Sequence, residues 1–353
     1  MNKLPATVVT GFLGSGKTTL VQNVLKNTEG LRVAVIVNEF GAMDVDTELV
    51  RQCSIGCEDD TASGPGIYEL ANGCICCTVQ EEFHPVLEQL IERRDQIDHI
   101  LIETSGLALP KPLVQAFAWP EIRTACTVDA VITVVDGPAV AAGRFADDPD
   151  AVQAQRLADE SLDHAPELVE LFDDQLSAAD LVLVNKTDLM SDDTLARVSD
   201  AITARLPREV KLLPTAQCAV SPSVLLGVGA AAEDAIDHIH THHDHHHDHD
   251  EEHHHAHDVF SHVVLDLPPM APDALQAGLD AVVASETVFR VKGHAAVPEK
   301  PMRLLVQGVG ARFDTHYDRR WRDDEARRTR LVCIGFHLDK ARLEGYFETQ
   351  QVA

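Results

Sequence analysis

Short apolar runs alternate with segments of helical periodicity through the first two-thirds of this chain. Ala6–Thr10, Val33–Val37, His99–Ile102, Val131–Val135 and Leu181–Val184 are brief and rich in branched side chains. Such runs suit parallel strands buried on both faces. Between them, Thr19–Leu25, Pro85–Arg94 and Thr194–Leu206 show helical spacing of apolar residues. The alternation predicts an α/β unit: a mostly parallel sheet with helices on both faces and a ligand at the carboxyl ends of the strands. The pattern stops near Gly229. After a polar stretch, Val259–Leu267 alternates like a strand and Asp273–Val283 reads as a helix. Thr287–Lys292, Arg303–Val306 and Leu331–Phe336 read as strands, and Asp339–Phe347 as a last helix. The expected division is residues 1–228, a flexible linker 229–258, and a small C-terminal α+β domain over 259–353, with one sheet face covered by helices. There is no internal repeat.

The turn after the first run changes a fold class into a chemistry. Gly11-Phe12-Leu13-Gly14-Ser15-Gly16-Lys17-Thr18 fits G-x-x-x-x-G-K-[ST], between a strand and a helix. Gly11, Gly14 and Gly16 let backbone N–H groups, with those of Ser15 and Thr19, crowd around phosphate oxygens. Lys17 adds a positive charge and the Thr18 hydroxyl can ligate Mg²⁺. The helix N-terminus faces the phosphates with its positive end. The α/β unit is therefore a P-loop NTPase.

Asn185-Lys186-Thr187-Asp188 follows a strand. In N-K-x-D the carboxylate of Asp188 accepts from the guanine N1–H and 2-amino group, and the Lys186 stem can stack on the base. Adenine lacks that donor pair, so the expected nucleotide is GTP. Glu103-Thr104-Ser105-Gly106 ends another strand. Glu103 can hold the hydration shell of Mg²⁺ or orient the attacking water, and Gly106 lets the backbone approach the γ-phosphate. Asn38-Glu39-Phe40-Gly41 adds a carboxylate on the same rim, followed by Asp44 and Asp46. This segment reads as a switch ordered by Mg-GTP and released by hydrolysis. Lys17, Thr18 and Glu103 are the expected catalytic groups, and with no evident arginine finger the intrinsic rate should be slow.

Composition narrows the partners. The formal charge is −28 over 353 residues, which disfavours nucleic acid or an anionic membrane surface. No apolar run is long enough to span a membrane, and no signal peptide is expected ahead of the P-loop, so the expectation is a cytoplasmic protein. Gly73-Cys74-Ile75-Cys76-Cys77 sets three thiols within four residues. Soft thiolates suit Zn²⁺, Co²⁺ or Cu⁺. One C-x-C-C cannot close a four-coordinate structural site alone, which fits a site that must release its metal. Glu39 and Asp46 are candidate further ligands. Cys53 and Cys57 are weaker candidates, and Cys126, Cys218 and Cys333 read as core. The tract Asp237–Asp258 holds 12 of the 19 histidines among acids, a composition suited to collecting metal rather than to folding.

Together these motifs resemble the CobW family of P-loop GTPases, grouped with the metal-handling GTPases of urease and hydrogenase maturation. The likeness rests on Gly11–Thr19, Asn38–Gly41, Asn72–Cys77, Glu103–Leu107 and Asn185–Asp188. It extends through Arg290-Val291-Lys292-Gly293 and Lys300-Pro301-Met302-Arg303 to nearly the whole chain outside the histidine tract. Pro301–Gly310 and Asp318-Arg319-Arg320-Trp321 resemble most the cobalamin-biosynthesis branch. The resemblance implies a cytosolic GTPase that delivers Co²⁺ to corrin formation, and the expected cycle has Mg-GTP bring Cys74, Cys76 and Cys77 into ligand geometry for Co²⁺. The recipient it implies is the ATP-dependent cobaltochelatase of corrin formation, or another metal-accepting protein. A zinc chaperone with the same machinery and a metal store based on the histidine tract are the alternatives. The guanine-carbonyl loop is expected near Pro214-Thr215-Ala216.

Overall fold

The computed structural model describes residues 3–28, 30–38, 67–70, 83–146, 152, 168–226, 260–322 and 325–348. The chain divides into two compact units, one within residues 3–227 and the other within 228–353.

The first unit holds a seven-stranded sheet: β1 (Leu4–Thr10), β2 (Val33–Asn38), β3 (Ile67–Leu70), β4 (His99–Glu103), β5 (Cys126–Asp136), β6 (Leu181–Asn185) and β7 (Lys211–Pro214). The order is β3-β2-β4-β1-β5-β6-β7 and every pairing is parallel. Among the described residues the helices include α1 (Lys17–Lys26), α2 (His84–Glu92), α3 (Pro110–Ala116), α4 (Gly137–Ala141), α5 (Leu168–Ser177), α6 (Asp192–Thr203) and α7 (Pro222–Leu225). Parallel strands need crossovers, and among the described residues α1 to α6 lie on them. Leu87 and Leu90 of α2 and Leu113 of α3 pack with Ala6, Val8, Ala34, Ile36, Ile100 and Ile102. The alternate strand residues Val9, Val35 and Leu101 are buried too, so both faces are covered.

Two strands were not foreseen. The runs of β3 and β7 are four residues each, with Glu69 in one and Lys211 in the other, too short and polar to stand out. Strand β5 begins five residues before the expected Val131. Its register against β1 shifts between Ala6 and Thr7, and polar Thr127 and Asp129 interrupt its apolar run.

The second unit is a five-stranded antiparallel sheet of order β11-β10-β9-β12-β8, in the sequence β8 (Phe260–Leu267), α8 (Pro272–Ser285), β9 (Val288–Ala296), β10 (Met302–Val309), β11 (Arg312–Arg320), β12 (Thr329–Phe336) and α9 (Lys340–Glu348). Leu275, Leu279 and Val282 of α8 and Leu343 and Phe347 of α9 pack onto Leu265, Val291, Ala295, Leu304, Val306, Leu331 and Cys333. Strand β11 was missed because it is an edge strand with four exposed residues in its middle. Central β9 carries Arg290, Lys292 and His294 in alternation with the core residues, all three buried. Arg303 Nη2 meets Asp318 Oδ2 at 2.6 Å with both side chains at most 2% exposed. Among the described residues, no helix is long and apolar enough to cross a membrane.

Candidate functional site

The carboxyl ends of β1, β4, β5 and β6 converge on one edge of the parallel sheet, and the chemistry-bearing residues lie there. The turn after β1 folds on itself: Ser15 N donates to Phe12 O at 3.2 Å. Lys17, 6% exposed, donates from Nζ to the same carbonyl at 3.0 Å. Gly11, Gly14 and Gly16 all have positive φ, at 136°, 76° and 111°. At Gly16 the glycine is required twice over. Its φ disfavours any side chain, and a Cβ would sit 2.4 Å from Asn185 Nδ2 and 2.9 Å from Cys218 Sγ. The Ser15 hydroxyl is buried with no hydrogen-bond partner among the described residues. A buried orphan hydroxyl beside crowded backbone N–H groups, at the start of α1, fits a phosphate. Thr19 lies exposed one residue beyond Thr18.

Thr18 Oγ1 donates to Glu103 Oε1 at 2.7 Å, joining α1 to the end of β4 across 85 residues of sequence. Glu103, Thr104 and Ser105 are all buried. Gly106 lies against the P-loop, where a Cβ would meet Leu13 N at 2.7 Å, so the backbone there approaches because no side chain intervenes.

Asn185 stitches the guanine motif to the P-loop. Its Nδ2 donates to Ser15 O at 2.8 Å and its Oδ1 accepts from Cys218 N at 2.9 Å. Lys186 adopts a left-handed conformation with φ 63° and donates to Asp136 Oδ2 at 2.5 Å. Asp136 is buried and also accepts from Ala139 N at 2.9 Å, capping α4. Asp188 is exposed, its carboxylate open to solvent.

The loop after β7 closes the ring. Thr187 N donates to Thr215 O at 3.2 Å, and Thr215 N to Val184 O at 2.9 Å. Asn23 Nδ2 of α1 donates to the carbonyls of Gln217 at 2.9 Å and Cys218 at 3.1 Å. Gln217 and Cys218 both take positive φ, 51° each. Cys218 is fully buried, its Sγ 3.3 Å from Gly16 O, and burial pushes the thiol up to about 12, outweighing the nearby Lys186 and Lys17. It is a packing thiol beneath the phosphate loop. Cys126 and Cys333 are also buried, and burial raises both to about 12.

The structure thus brings together Gly11, Gly14, Ser15, Gly16, Lys17, Thr18, Thr19, Glu103, Gly106, Asn185, Lys186 and Asp188. Glu39, Asp44, Asp46, Cys53, Cys57, Cys74, Cys76, Cys77 and the tract Asp237–Asp258 lie outside the described residues. Among the described residues there is no group of three or more His, Cys, Asp or Glu that could hold a metal. What is described is where those segments attach. Asn38, the last described residue of β2, is the register partner of Leu70 on β3. The carboxyl ends of β2 and β3 are therefore neighbours, on the edge that carries the P-loop.

Sequence reasoning missed Asp136, Asn23 and Cys218 as parts of this site. Asp136 had a signal, being a strand-terminal carboxylate like Glu103. Asn23 and Cys218 had none, since their partners are remote in sequence.

The comparisons agree with this architecture. The CobW/HypB/UreG nucleotide-binding domain matches residues 5–214 and the cobalamin synthesis protein cobW C-terminal domain matches 260–350. The chain belongs to the CobW/HypB/UreG family of P-loop GTPases. It is 57% identical over 347 residues to a protein of Pseudomonas aeruginosa named zinc chaperone CobW, covering 98% of this chain and 91% of that one. It is 49% identical over 341 residues to a zinc chaperone CobW from a Sinorhizobium species, covering 96% and 95%. It is 30% identical over 363 residues to zinc chaperone YjiA of Escherichia coli, covering 98% of each. The chain is accordingly a GTPase of the metallochaperone class.

Proposed function

We propose that this GTPase carries a thiophilic divalent cation whose binding and release are set by the nucleotide, and that the ion is Zn²⁺. The observation that carries the proposal is the Asn38–Leu70 register pair. The ends of β2 and β3, one residue before Glu39 and four before Cys74, are neighbours on the phosphate edge, which supports a coupling between the nucleotide and the thiolates. Zn²⁺ is favoured by the names of the three relatives and suits thiolate ligands.

In this reading Lys17 and the N–H groups of Gly14 to Thr19 hold the phosphates, and Asn185, Lys186 and Asp188 select guanine. The loop Thr215–Cys218 faces the base carbonyl. Thr18 and Glu103 form a hard-oxygen pair of the kind Mg²⁺ takes, and the ion bound there would neutralise charge on the phosphates. Glu103 orients water, and Gly106 brings its backbone to the γ-phosphate. Mg-GTP orders Glu39 to Asp46 and sets Cys74, Cys76 and Cys77 as ligands. Hydrolysis loosens the site and the metal passes to an acceptor protein. A second reading has Co²⁺ as cargo and the ATP-dependent cobaltochelatase as acceptor. It is favoured by the cobalamin-synthesis designation of the family matched at residues 260–350.

The test is chelator competition for Zn²⁺ and Co²⁺, with and without Mg-GTP, on the full chain and on a Cys76→Ser, Cys77→Ser variant. The expected result is one tight Zn²⁺ site present only with Mg-GTP and lost in the variant, with GTP affinity unchanged. Unchanged metal affinity in the variant removes the cysteines from the site. A site indifferent to nucleotide removes the switch, and one that holds Co²⁺ against buffered Zn²⁺ moves the cargo to cobalt.

A further inference from the structure

Helix α5 carries a fully buried amide at the phosphate edge. Leu171, Phe172 and Leu176 form its apolar stripe, and Gln175 stands in that stripe at 0% exposure. Its Nε2 donates to the carbonyls of Gly106 at 3.3 Å and Ala108 at 3.2 Å. Its main-chain carbonyl accepts from the Thr133 hydroxyl of β5 at 2.9 Å. Its Oε1 has no hydrogen-bond partner among the described residues. A leucine would fill the stripe without leaving a dry acceptor, so packing alone does not account for an amide here. Its donor hydrogens do.

Those hydrogens hold the turn that leaves β4 immediately after Glu103. Within the turn Ala108 N donates to Ser105 O at 3.2 Å, and at its start Thr104 N donates to Val9 O at 2.9 Å. Gly106, at its apex, abuts Leu13 of the P-loop. The same helix also reaches the P-loop directly. The Phe172 ring lies 6.0 Å from that of Phe12, whose carbonyl receives the Lys17 ammonium. One helix therefore supports both the P-loop and the turn that abuts it.

We propose that Gln175 is a positioning residue for GTP hydrolysis: its amide fixes the Ser105–Ala108 turn against the P-loop so that the turn engages the γ-phosphate. This deepens the GTPase reading of the site and rests on it. GDP has no γ-phosphate, so loss of the amide separates the two nucleotides, which a general packing defect does not.

The test uses the full chain with Gln175→Met and, independently, Gln175→Leu, so that a folding failure of one leaves the comparison intact. GDP and GTPγS affinities are measured by displacement of a fluorescent guanine nucleotide, and kcat and KM by phosphate release. The expected result is GDP affinity within about twofold of the unsubstituted chain, weaker GTPγS binding, and kcat lower by about tenfold or more. Unchanged kcat with an unchanged GTPγS-to-GDP ratio overturns the role, as does equal loss of both nucleotides. If the unsubstituted chain fails to hydrolyse GTP, the GTPase reading itself has failed, which is visible before any variant is compared.

Discussion

At the scale of single residues, the site is made of groups whose function is spatial exclusion or charge, and these differ in how far sequence discloses them. Asp188 is exposed, with its carboxylate available to the base. Asp188→Ala removes charge-assisted hydrogen bonds to guanine, so GTP affinity should fall at least about tenfold while ATP affinity stays as it was. Competition against a fluorescent nucleotide measures both, and equal losses would take base recognition away from Asp188. The placement of Asp188, Lys17, Thr18 and Glu103 on one edge of the sheet was legible because phosphate and guanine motifs set residue types at fixed spacing after strands. Asn185 was legible as part of the guanine motif, but its stitching of Ser15 to Cys218 was not. Cys218, expected as core, is core, yet what it packs against is Gly16, 202 residues away. Gln175 left a faint trace, a polar residue in the apolar stripe of a helix.

At the scale of elements, the parallel strands could be read because burial on both faces concentrates branched residues. Polar Thr127 and Asp129 hid the first half of β5, and exposure hid β11. In the second unit, tertiary neighbours rather than propensity set the behaviour of His294. It is buried, its ring lies 5.4 Å from that of Trp321, and its Nδ1 has no hydrogen-bond partner among the described residues. Burial first and Arg303 second pull its pKa down to about 4, with Arg330 adding to this and Glu325 and Asp318 opposing it. Its unfolded value is near 6.5, so below that pH the unfolded chain takes up a proton that the folded unit refuses. Stability should therefore fall as pH drops from 6.5 towards 4, by about 3 kcal/mol at most. The carboxylates act lower. Hydrogen bonds from Arg319 hold Glu325 near 2 against the effect of burial. Burial pushes Asp318 up, but Arg303 and the Arg319 N–H outweigh it and leave it lowered. Their stabilisation is present above the ordinary carboxylate range and is lost as pH falls through their folded values. Thermal melting against pH should show both windows, and His294→Gln should flatten the upper one and leave the lower. An unaltered upper slope would assign that proton to another group.

At the scale of the whole molecule, a chain of net charge −28 sets 12 histidines among acids between two folded units. Twelve imidazoles offer many metal ligands in a tract whose composition does not suit a packed core. The full chain should accordingly bind several weak Zn²⁺ equivalents besides the tight one. Removing Asp237–Asp258 should abolish the weak equivalents and keep a single Mg-GTP-dependent site, counted by metal titration. Loss of the tight site with the tract would make this a storage protein.

The parallel pairing of β2 with β3 has a quantitative consequence. Asn38 and Leu70 are neighbours across the sheet, Glu39 is one residue past the first, and Cys74 is four past the second. Four residues of chain extend no more than about 14 Å. In the proposed reading Glu39 and Cys74 act as tethered ligands, at an effective concentration on the order of millimolar or above. In that reading, ligands individually too weak to capture a metal from a buffered cell gain avidity when the nucleotide brings them into line. The same reading has that avidity lost on hydrolysis with no covalent change at any ligand.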